Sequence, residues 1–216
     1  MRINYKIDWQ ALGGMDGSKS LSAKKYALLE ASLKIISQQG LHNLSVTEVA
    51  KNTSLSKPLV LYHYESKERI LEDLSLFIQK MGEYFLGLYL VEESSFEQKI
   101  HDCVQGTFRW YLFNNEVSDF LALLPHLNKL SLRLKKDQEN FELFQMRLWE
   151  RIFLESLRYR SMEELRIAVF GVRSLVTGSL INLIHLNQRD QYRDHALRLQ
   201  FNLETLLKVE LPSFDF

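Results

Sequence analysis

The sequence contains very little cysteine, proline and glycine. Its 216 residues include one cysteine, Cys103, three prolines and nine glycines. A single cysteine excludes a disulfide framework within the chain and a zinc site built from several cysteines. Few glycines and prolines leave few positions that interrupt a helix, and good helix formers such as Leu, Glu, Lys, Arg and Gln are abundant. The composition therefore favours an all-α fold.

Long apolar runs are also absent from the sequence. No uninterrupted apolar stretch of about 18 residues predicts a transmembrane helix, and no apolar run after residues 1–6 is typical of a secretory signal. We therefore expect a cytoplasmic protein with no membrane partner. A hydrophobic content of 46% is sufficient for a packed core and argues against a disordered chain.

The sequence has no excess of charge of either sign. A net charge of zero gives by itself no support to nucleic-acid binding. The charges are nevertheless unevenly distributed, because residues 1–70 carry ten Lys and Arg against six Asp and Glu, whereas the remainder carries 17 against 21. A basic N-terminal part on an acidic body fits a protein in which one part alone binds DNA.

The sequence lacks the signatures of common catalytic sites. It contains no glycine-rich phosphate loop, no nucleophile elbow and no HExxH pair. His101, Asp102 and Cys103 are consecutive, so a helix would direct them to different sides and they cannot form a triad by themselves. We therefore predict no catalytic residue, no enzymatic activity, no cofactor and no metal site.

Residues 1–20 mix apolar and polar residues and end in a stretch that contains Gly13, Gly14 and Gly17. This pattern predicts an N-terminal arm followed by a flexible linker. Met15 is a second candidate for the first residue, and in that case the preceding fourteen residues would not belong to the protein. Both interpretations remain open at this point.

Apolar residues recur at helical spacing through most of the remaining chain. The pattern predicts a first helix from Ser20 or Ser22 to Gln39, ended by Gly40 in a left-handed conformation. Beyond the next two short helices it predicts six more helices, at residues 67–90, 96–114, 117–124, 127–159, 163–188 and 191–208. No stretch convincingly predicts a strand.

Two short capped helices with a polar turn between them follow the first long helix. Ser45 and Glu48 form a capping-box pattern for one of them. Ser56, with Pro58 in the first turn, begins the other. Residues 52–54 supply the tight turn. These dimensions match a helix-turn-helix, in which the second short helix enters the major groove of DNA.

Residues 29–67 resemble the TetR family of bacterial transcriptional repressors. The resemblance rests on Leu29, Ala31 and Leu33 before Gly40, on Ser45–Val46 and Val49–Ala50, on Leu55–Lys57, and on Tyr62–Tyr64 followed by Ser66–Glu68. The sequence departs from the usual residues of the family at four positions, Ser54, Pro58, Leu59 and Leu61.

The resemblance implies a domain organisation and a set of partners. Residues 1–20 would be an arm, residues 21–66 a three-helix helix-turn-helix DNA-binding module, and residues 67–216 a six-helix ligand-binding and dimerisation body. The implied protein is a homodimer that binds double-stranded operator DNA and an unknown small-molecule effector.

DNA recognition requires phosphate contacts, which fix the register, and base contacts, which carry sequence information. Lys57 could reach a guanine edge or a phosphate, and Tyr62 and His63 could reach a phosphate or a thymine methyl group. Tyr64, in contrast, is expected in the core. The predicted DNA-binding residues are Ser45, Thr47, Ser56, Lys57, Pro58, Leu59, Tyr62, His63 and Lys67.

Aromatic residues are concentrated in two predicted helices of the body, at residues 96–114 and 127–159. A large aromatic lining suits an apolar or aromatic small molecule, although an ordinary core accounts for at least half of these residues. The predicted effector pocket consists of Phe85, Phe108, Tyr111, Phe144, Trp149 and Phe153.

The predicted helix at residues 163–188 carries small and apolar residues along one face, at successive spacings of 3, 4, 3 and 4. Its glycines would let another helix come close, although each one weakens the helix by about 1 kcal/mol relative to alanine. Close packing within the chain is the alternative. The predicted dimer interface consists of Ala168, Gly171, Leu175, Gly178, Asn182, Leu199 and Leu203.

The sequence thus predicts a TetR-like, sequence-specific transcriptional regulator, a repressor that a small apolar or aromatic effector releases from operator DNA. A second interpretation is a helical interaction protein that shares the fold but has lost sequence-specific DNA binding. Leu59 and Leu61 motivate it, because both place apolar side chains where polar contacts are expected.

Overall fold

The computed structural model describes residues 6–9, 23–87, 93–127, 129, 131–156, 158–186 and 191–215. Within these ranges the regular structure consists of nine α-helices and one 3-10 helix, Leu41–Asn43, with no strand. The prediction of an all-α fold with a helix-turn-helix near the N-terminus is confirmed.

The nine α-helices of the described ranges are numbered here in chain order. They are α1 (Ala23–Gln39), α2 (Val46–Lys51), α3 (Lys57–His63), α4 (Lys67–Gly87), α5 (Phe96–Phe113), α6 (Asn115–Leu127), α7 (Leu132–Glu155), α8 (Met162–Leu186) and α9 (Tyr192–Leu207).

Gly40 ends α1 in a different conformation from the one that the sequence predicted. Its φ of 86° is positive as expected, but its ψ of 158° is extended and does not belong to the left-handed helical region. This combination is nearly exclusive to glycine, since a Cβ atom would make it strained. The Gly40 amide still donates to the Ile36 carbonyl at 3.1 Å, so the last turn of the helix is closed.

The two short helices begin at the residues that the sequence indicated. The Ser45 hydroxyl accepts a hydrogen bond from the Glu48 amide at 3.1 Å, which confirms the cap of α2. Ser56 occupies the equivalent position before α3, but its side chain forms no capping hydrogen bond. Pro58 lies in the first turn, where its missing amide hydrogen costs little and its fixed φ favours the helix.

Three predicted helix boundaries in the second half of the chain are wrong. The helix expected to end at residue 124 continues through Pro125 to Leu127. A proline disturbs only its own amide and the turn before it, and here the helix ends two residues later in any case. The following helix accordingly begins at Leu132, and it ends at Glu155 rather than at Tyr159.

The chain forms two compact units that do not follow the linear order of the sequence. The first comprises Met1–Met81 with Phe113–Glu139, and the second comprises Gly82–Leu112 with Asn140–Phe216. Thus α6 and the start of α7 pack with the N-terminal helices. The division at residue 67, made from the sequence, concerns function and stays a prediction.

In the first unit α1 packs against α6, the 3-10 helix and α2, and α2 packs against α3. Leu28, Leu29 and Ile35 of α1 are fully buried, as the helical spacing of its apolar residues requires. At the edge of this contact the Ser37 hydroxyl donates a hydrogen bond to the Asp119 carboxylate of α6. Helix α6 therefore supports α1, which in turn packs against the first helix of the helix-turn-helix.

In the second unit α8 and α9 pack against each other. The C-terminal segment after α9 lies along α5, where the Gln105 side chain forms two hydrogen bonds, of 2.6 and 2.9 Å, with the backbone of Asp215. The Phe214 ring stacks on His101 at a centroid distance of 5.3 Å. No helix in the described ranges is both long and apolar enough to cross a membrane.

Candidate functional site

The recognition helix α3 presents one side to the core and the other to the surface. Val60 and Tyr64 are buried, and their spacing of four residues places them on the same face. Leu61 and Tyr62 between them are exposed, and the Tyr62 side chain has 83% of its surface accessible. A large aromatic side chain in this position is available for contact with another molecule.

The structure leaves most of the predicted DNA-binding residues accessible. Ser45, Thr47, Ser56, Lys57, Pro58 and Tyr62 are exposed, whereas Leu59, His63 and Lys67 are half-buried. All nine belong to α2, α3, their caps or the start of α4. Their accessibility is compatible with DNA contact, and the individual contacts stay predictions.

Lys67 has a structural role that the sequence did not indicate. Its ammonium group donates a hydrogen bond to the backbone carbonyl of Leu41, 26 positions earlier in the chain. This bond connects the first residue of α4 to the 3-10 helix after α1. The ammonium group is therefore engaged within the protein, and a contact from Lys67 to DNA stays a prediction.

His63 lies at the end of α3 in a positively charged environment. Burial first, and then the charges of Lys25 and Lys24, lower the pKa of His63 below its ordinary value of 6.5. Its ring also forms an edge contact with Tyr62 at a centroid distance of 5.4 Å. His63 is therefore mainly neutral at neutral pH and is suited to donate or accept a single hydrogen bond.

Lys24 and Lys25 lie near His63, although neither is among the predicted DNA-binding residues. Both lie in the first turn of α1, which contains no acidic residue, although a helix N-terminus disfavours positive charge. Lys24 is exposed, and Lys25 forms an ion pair with Asp73 of α4. Two adjacent lysines at a helix N-terminus were the signal that could have identified them.

Tyr64 fixes the recognition helix to the helices behind it. The Lys25 ammonium lies 5.5 Å from the centre of the Tyr64 ring. Burial and the nearby Asp73 carboxylate strongly raise the pKa of Tyr64, so the phenol stays protonated. Its buried hydroxyl has no hydrogen-bond partner of suitable geometry in the described part of the chain. Its expected place in the core is confirmed.

The predicted effector residues all belong to the second unit. Phe108 and Phe153 are fully buried and Phe85 and Trp149 nearly so, whereas the other two, Tyr111 and Phe144, are half-buried. The edge of Trp149 contacts Phe153 at 6.5 Å between ring centres. Another residue, Trp110, pairs with Phe85 at 4.6 Å. These aromatic pairs belong to the core of the second unit, and their role as a pocket stays a prediction.

The predicted dimer residues divide into a buried and an accessible group. Leu199 and Leu203 are buried within the chain, so the prediction that they form a surface is corrected. The large apolar side chains of α9 that are exposed are those of Leu197, Phe201 and Leu206. The other five predicted residues, on α8, are half-buried (Ala168, Gly171 and Leu175) or exposed (Gly178 and Asn182).

The two glycines of α8 have different surroundings. A Cβ atom on Gly171 would lie 3.1 Å from a methyl group of Leu206 in α9, whereas one on Gly178 would meet nothing within 4 Å. Gly171 therefore permits close packing within the chain, the alternative that the sequence analysis left open. Gly178 leaves an open position on α8, a helix whose exposed large apolar side chains are those of Met162, Ile167, Phe170 and Ile181.

Residues 28–74 match the family model described as bacterial regulatory proteins, tetR family. The transcriptional regulator BetI from Vibrio atlanticus is 22% identical over 157 residues, covering 72% of this chain and 77% of BetI.

Two solved structures share the fold. A regulatory protein of the tetR family from Rhodococcus RHA1 has a TM-score of 0.68 at 15% identity, covering 89% of this chain and all of that one. The transcriptional regulator FadR from Bacillus subtilis, solved in complex with stearoyl-CoA, has a TM-score of 0.65 at 16% identity, covering 83% and 96%.

Substitutions of Tyr64 should separate the role of its ring from that of its hydroxyl. Tyr64→Ala removes a buried ring and should lower the free energy of unfolding by about 3–5 kcal/mol. Tyr64→Phe keeps the ring beneath Lys25 and removes a hydroxyl without a suitable partner, so it should preserve or raise the stability by about 1 kcal/mol. Urea unfolding measures both. A clear loss in the Phe variant would show that the hydroxyl itself stabilises the fold.

His63 should make stability decrease in mild acid. Because the folded state favours neutral His63, the unfolded state binds more protons, so the contribution of His63 is complete above pH 6.5 and is lost as the pH falls below that value. Urea midpoints at about pH 7.5 and 5.5 should therefore differ less in His63→Gln than in the wild type. An equal difference in both proteins would contradict the assignment.

Proposed function

We propose that the chain is a member of the TetR family of bacterial regulatory proteins, whose model its residues 28–74 match, and that it represses transcription as a homodimer on operator DNA. A small apolar or aromatic effector would release it. DNA binding under the control of an effector is the general role that its relatives support. We propose no catalysed reaction, and DNA as the partner implies that the protein acts in the cytoplasm.

The exposed side of α3 carries this proposal. Tyr62 is the most exposed aromatic residue of the helix-turn-helix. Lys57, the first residue of α3, is also exposed. The buried face, formed by Val60 and Tyr64, holds the helix in place. A fixed helix with an accessible cation and an accessible aromatic ring is suited to phosphate contact and to contact with thymine methyl groups.

An exposed lysine beside α3 supports the proposal. Lys24 is exposed, and its charge, together with that of Lys25, contributes to the lowered pKa of His63 at the C-terminal end of the recognition helix. Lys25 itself is paired with Asp73, so Lys24 supplies the accessible charge of this surface. Phosphates would bind such a surface without reading the sequence, and each contact would add to the salt dependence of binding. The net charge of the whole chain, which is zero, conceals this local arrangement.

A homodimer is proposed because one helix-turn-helix binds DNA weakly and two half-sites are normally read together. Phe170 of α8 and Phe201 of α9 are each 68% exposed. Ile167, Ile181 and Leu197 add to the same pair of helices. Large exposed apolar side chains that occur together often mark a protein interface, and burying each one fully would contribute about 1.5–3 kcal/mol.

The aromatic core of the second unit is the proposed source of effector control. Rings such as Phe108, Trp149 and Phe153 would bind an apolar or aromatic molecule mainly by burial of apolar surface. An effector changes DNA affinity only if it binds the two states of the protein with different affinity. Helix α4 begins at Lys67 and contains the predicted effector residue Phe85, so it is the proposed carrier of that coupling.

DNA binding should be specific and should depend on α3. In a gel-shift assay the protein should bind the DNA upstream of its own gene more tightly than random DNA of equal length. Tyr62→Ala should weaken specific binding by about 1–3 kcal/mol, whereas Tyr84→Ala, which removes an exposed tyrosine of the second unit, should not. Lys57→Ala should also reduce the slope of the logarithm of the binding constant against the logarithm of the salt concentration by about 1, because one phosphate contact is lost.

The same assay tests the alternative of an interaction protein. Leu61 is 43% exposed on α3, which is the observation that motivates that alternative. Equal and weak binding to every DNA fragment across a salt series would favour it and would rule out the proposed operator binding.

The dimer should depend on the exposed apolar side chains of α8 and α9. Phe201→Arg places a charge at the proposed interface, where burial without a partner is costly, and should shift sedimentation from dimer to monomer. Because Phe201 is exposed in the single chain, the helical content should not change. The control Tyr84→Arg places the same charge at an exposed aromatic position of α4, outside the proposed interface, and should leave the dimer intact. A Phe201→Arg protein that remains dimeric would exclude this interface.

A further inference from the structure

Residues Lys6–Trp9 pack against the first unit although they precede the first long helix. Ile7 is only 6% exposed. Its amide donates a hydrogen bond to the side-chain oxygen of Asn114 at 3.0 Å, across 107 positions of the chain. A buried apolar side chain together with a buried backbone hydrogen bond indicates a docked segment rather than a solvated tail.

The Trp9 ring connects this segment to two helices. It stacks on Phe77 of α4 at a centroid distance of 4.8 Å and an interplanar angle of 29°. Tyr26 of α1 contacts the same Phe77 with its edge, at 5.8 Å. Stacked and edge contacts of this kind are favourable arrangements of aromatic pairs. Trp9, Phe77 and Tyr26 therefore form a continuous aromatic series across the segment, α4 and α1.

The hydrogen-bond partner of Ile7 lies where α6 begins. Asn114 is 4% exposed, and its backbone carbonyl accepts hydrogen bonds from the amides of Val117 and Ser118. It thereby closes the first turn of α6, the helix that packs against α1. The N-terminal segment thus contacts α4 and the start of α6 directly, and it reaches α1 through Phe77.

The position of Phe77 relates this contact to the recognition helix. Phe77 follows Asp73 by one helical turn, so both side chains lie on the same face of α4. Asp73 forms the ion pair with Lys25 and lies beside the buried Tyr64 that ends α3. A displacement of α4 at Phe77 would therefore also move Asp73 and change its contact with Tyr64, which holds the recognition helix in place.

We propose that Ile7 and Trp9 are positioning residues for DNA binding, which hold α1, α4 and α6 in the arrangement that presents α3. They act through Asn114 and Phe77 and need not touch DNA. The inference rests on the proposed function as a DNA-binding regulator. Where only a fraction of folded molecules has the binding arrangement, the apparent dissociation constant rises in inverse proportion to that fraction.

Trp9 variants test the proposal by their affinity for DNA. Trp9→Ala should raise the dissociation constant for the upstream DNA fragment about tenfold, which corresponds to about 1.4 kcal/mol. Trp9→Phe retains an aromatic ring against Phe77 and should stay within about threefold of the wild type. The measurements are made at a temperature at which circular dichroism shows all three full-length proteins to be folded, so unfolding does not account for the loss.

Hydrogen exchange gives a second readout that is independent of DNA. The Ile7 amide should be protected in the wild type and in Trp9→Phe, and it should exchange faster in Trp9→Ala. The amide of Val60 in the buried face of α3 is the internal control, since it should remain protected in all three proteins.

The outcomes distinguish this inference from the proposed function. If the wild type prefers the upstream fragment and Trp9→Ala binds it equally well, the inference alone is overturned. Equal losses in the Ala and Phe variants, or an unprotected Ile7 amide in the wild type, overturn it as well. If the wild type itself does not prefer the upstream fragment to random DNA, the proposed function fails and the inference fails with it.

Discussion

The fixation of Tyr64 behind α3 is the interaction on which the DNA-binding surface depends. Because α3 has only seven residues, it is too short to be stable by itself. Its orientation comes from the burial of Val60 and Tyr64 and from the Lys25–Asp73 ion pair beside the Tyr64 ring. The exposed residues of α3 can therefore be polar or aromatic without destabilising the helix, because the buried residues hold it in place.

The long helix α4 carries three of the contacts that hold the DNA-binding helices in place. Its first residue, Lys67, bonds to the Leu41 carbonyl, Asp73 pairs with α1, and Phe77 receives the rings of Tyr26 and Trp9. Each contact joins α4 to a segment far away in the sequence. A movement of α4 would alter all of these contacts, as the proposed coupling of effector binding to DNA binding requires.

Local patterns allowed much of the fold to be predicted from the sequence. Nine helices were predicted from helix caps such as Ser45, from the helix end at Gly40 and from the helical spacing of apolar residues, and the described residues contain nine α-helices. These signals act within a few residues of the chain. The boundary near Pro125 was wrong, since a proline close to a helix end is tolerated. Leu199 and Leu203 were misplaced because spacing identifies an apolar face but not what covers it.

By itself the sequence determined the helix-turn-helix, since its two caps and its turn follow from short-range spacing and from the resemblance of residues 29–67 to a family. The DNA contacts that it assigned to this part of the chain stay predictions. Only the tertiary structure showed that Ile7 and Trp9 pack on the first unit and that Lys67 bonds to Leu41. It also showed that α6 packs with the N-terminal helices. These contacts join residues distant in the chain, and no local pattern specifies the partner of a residue that lies far away.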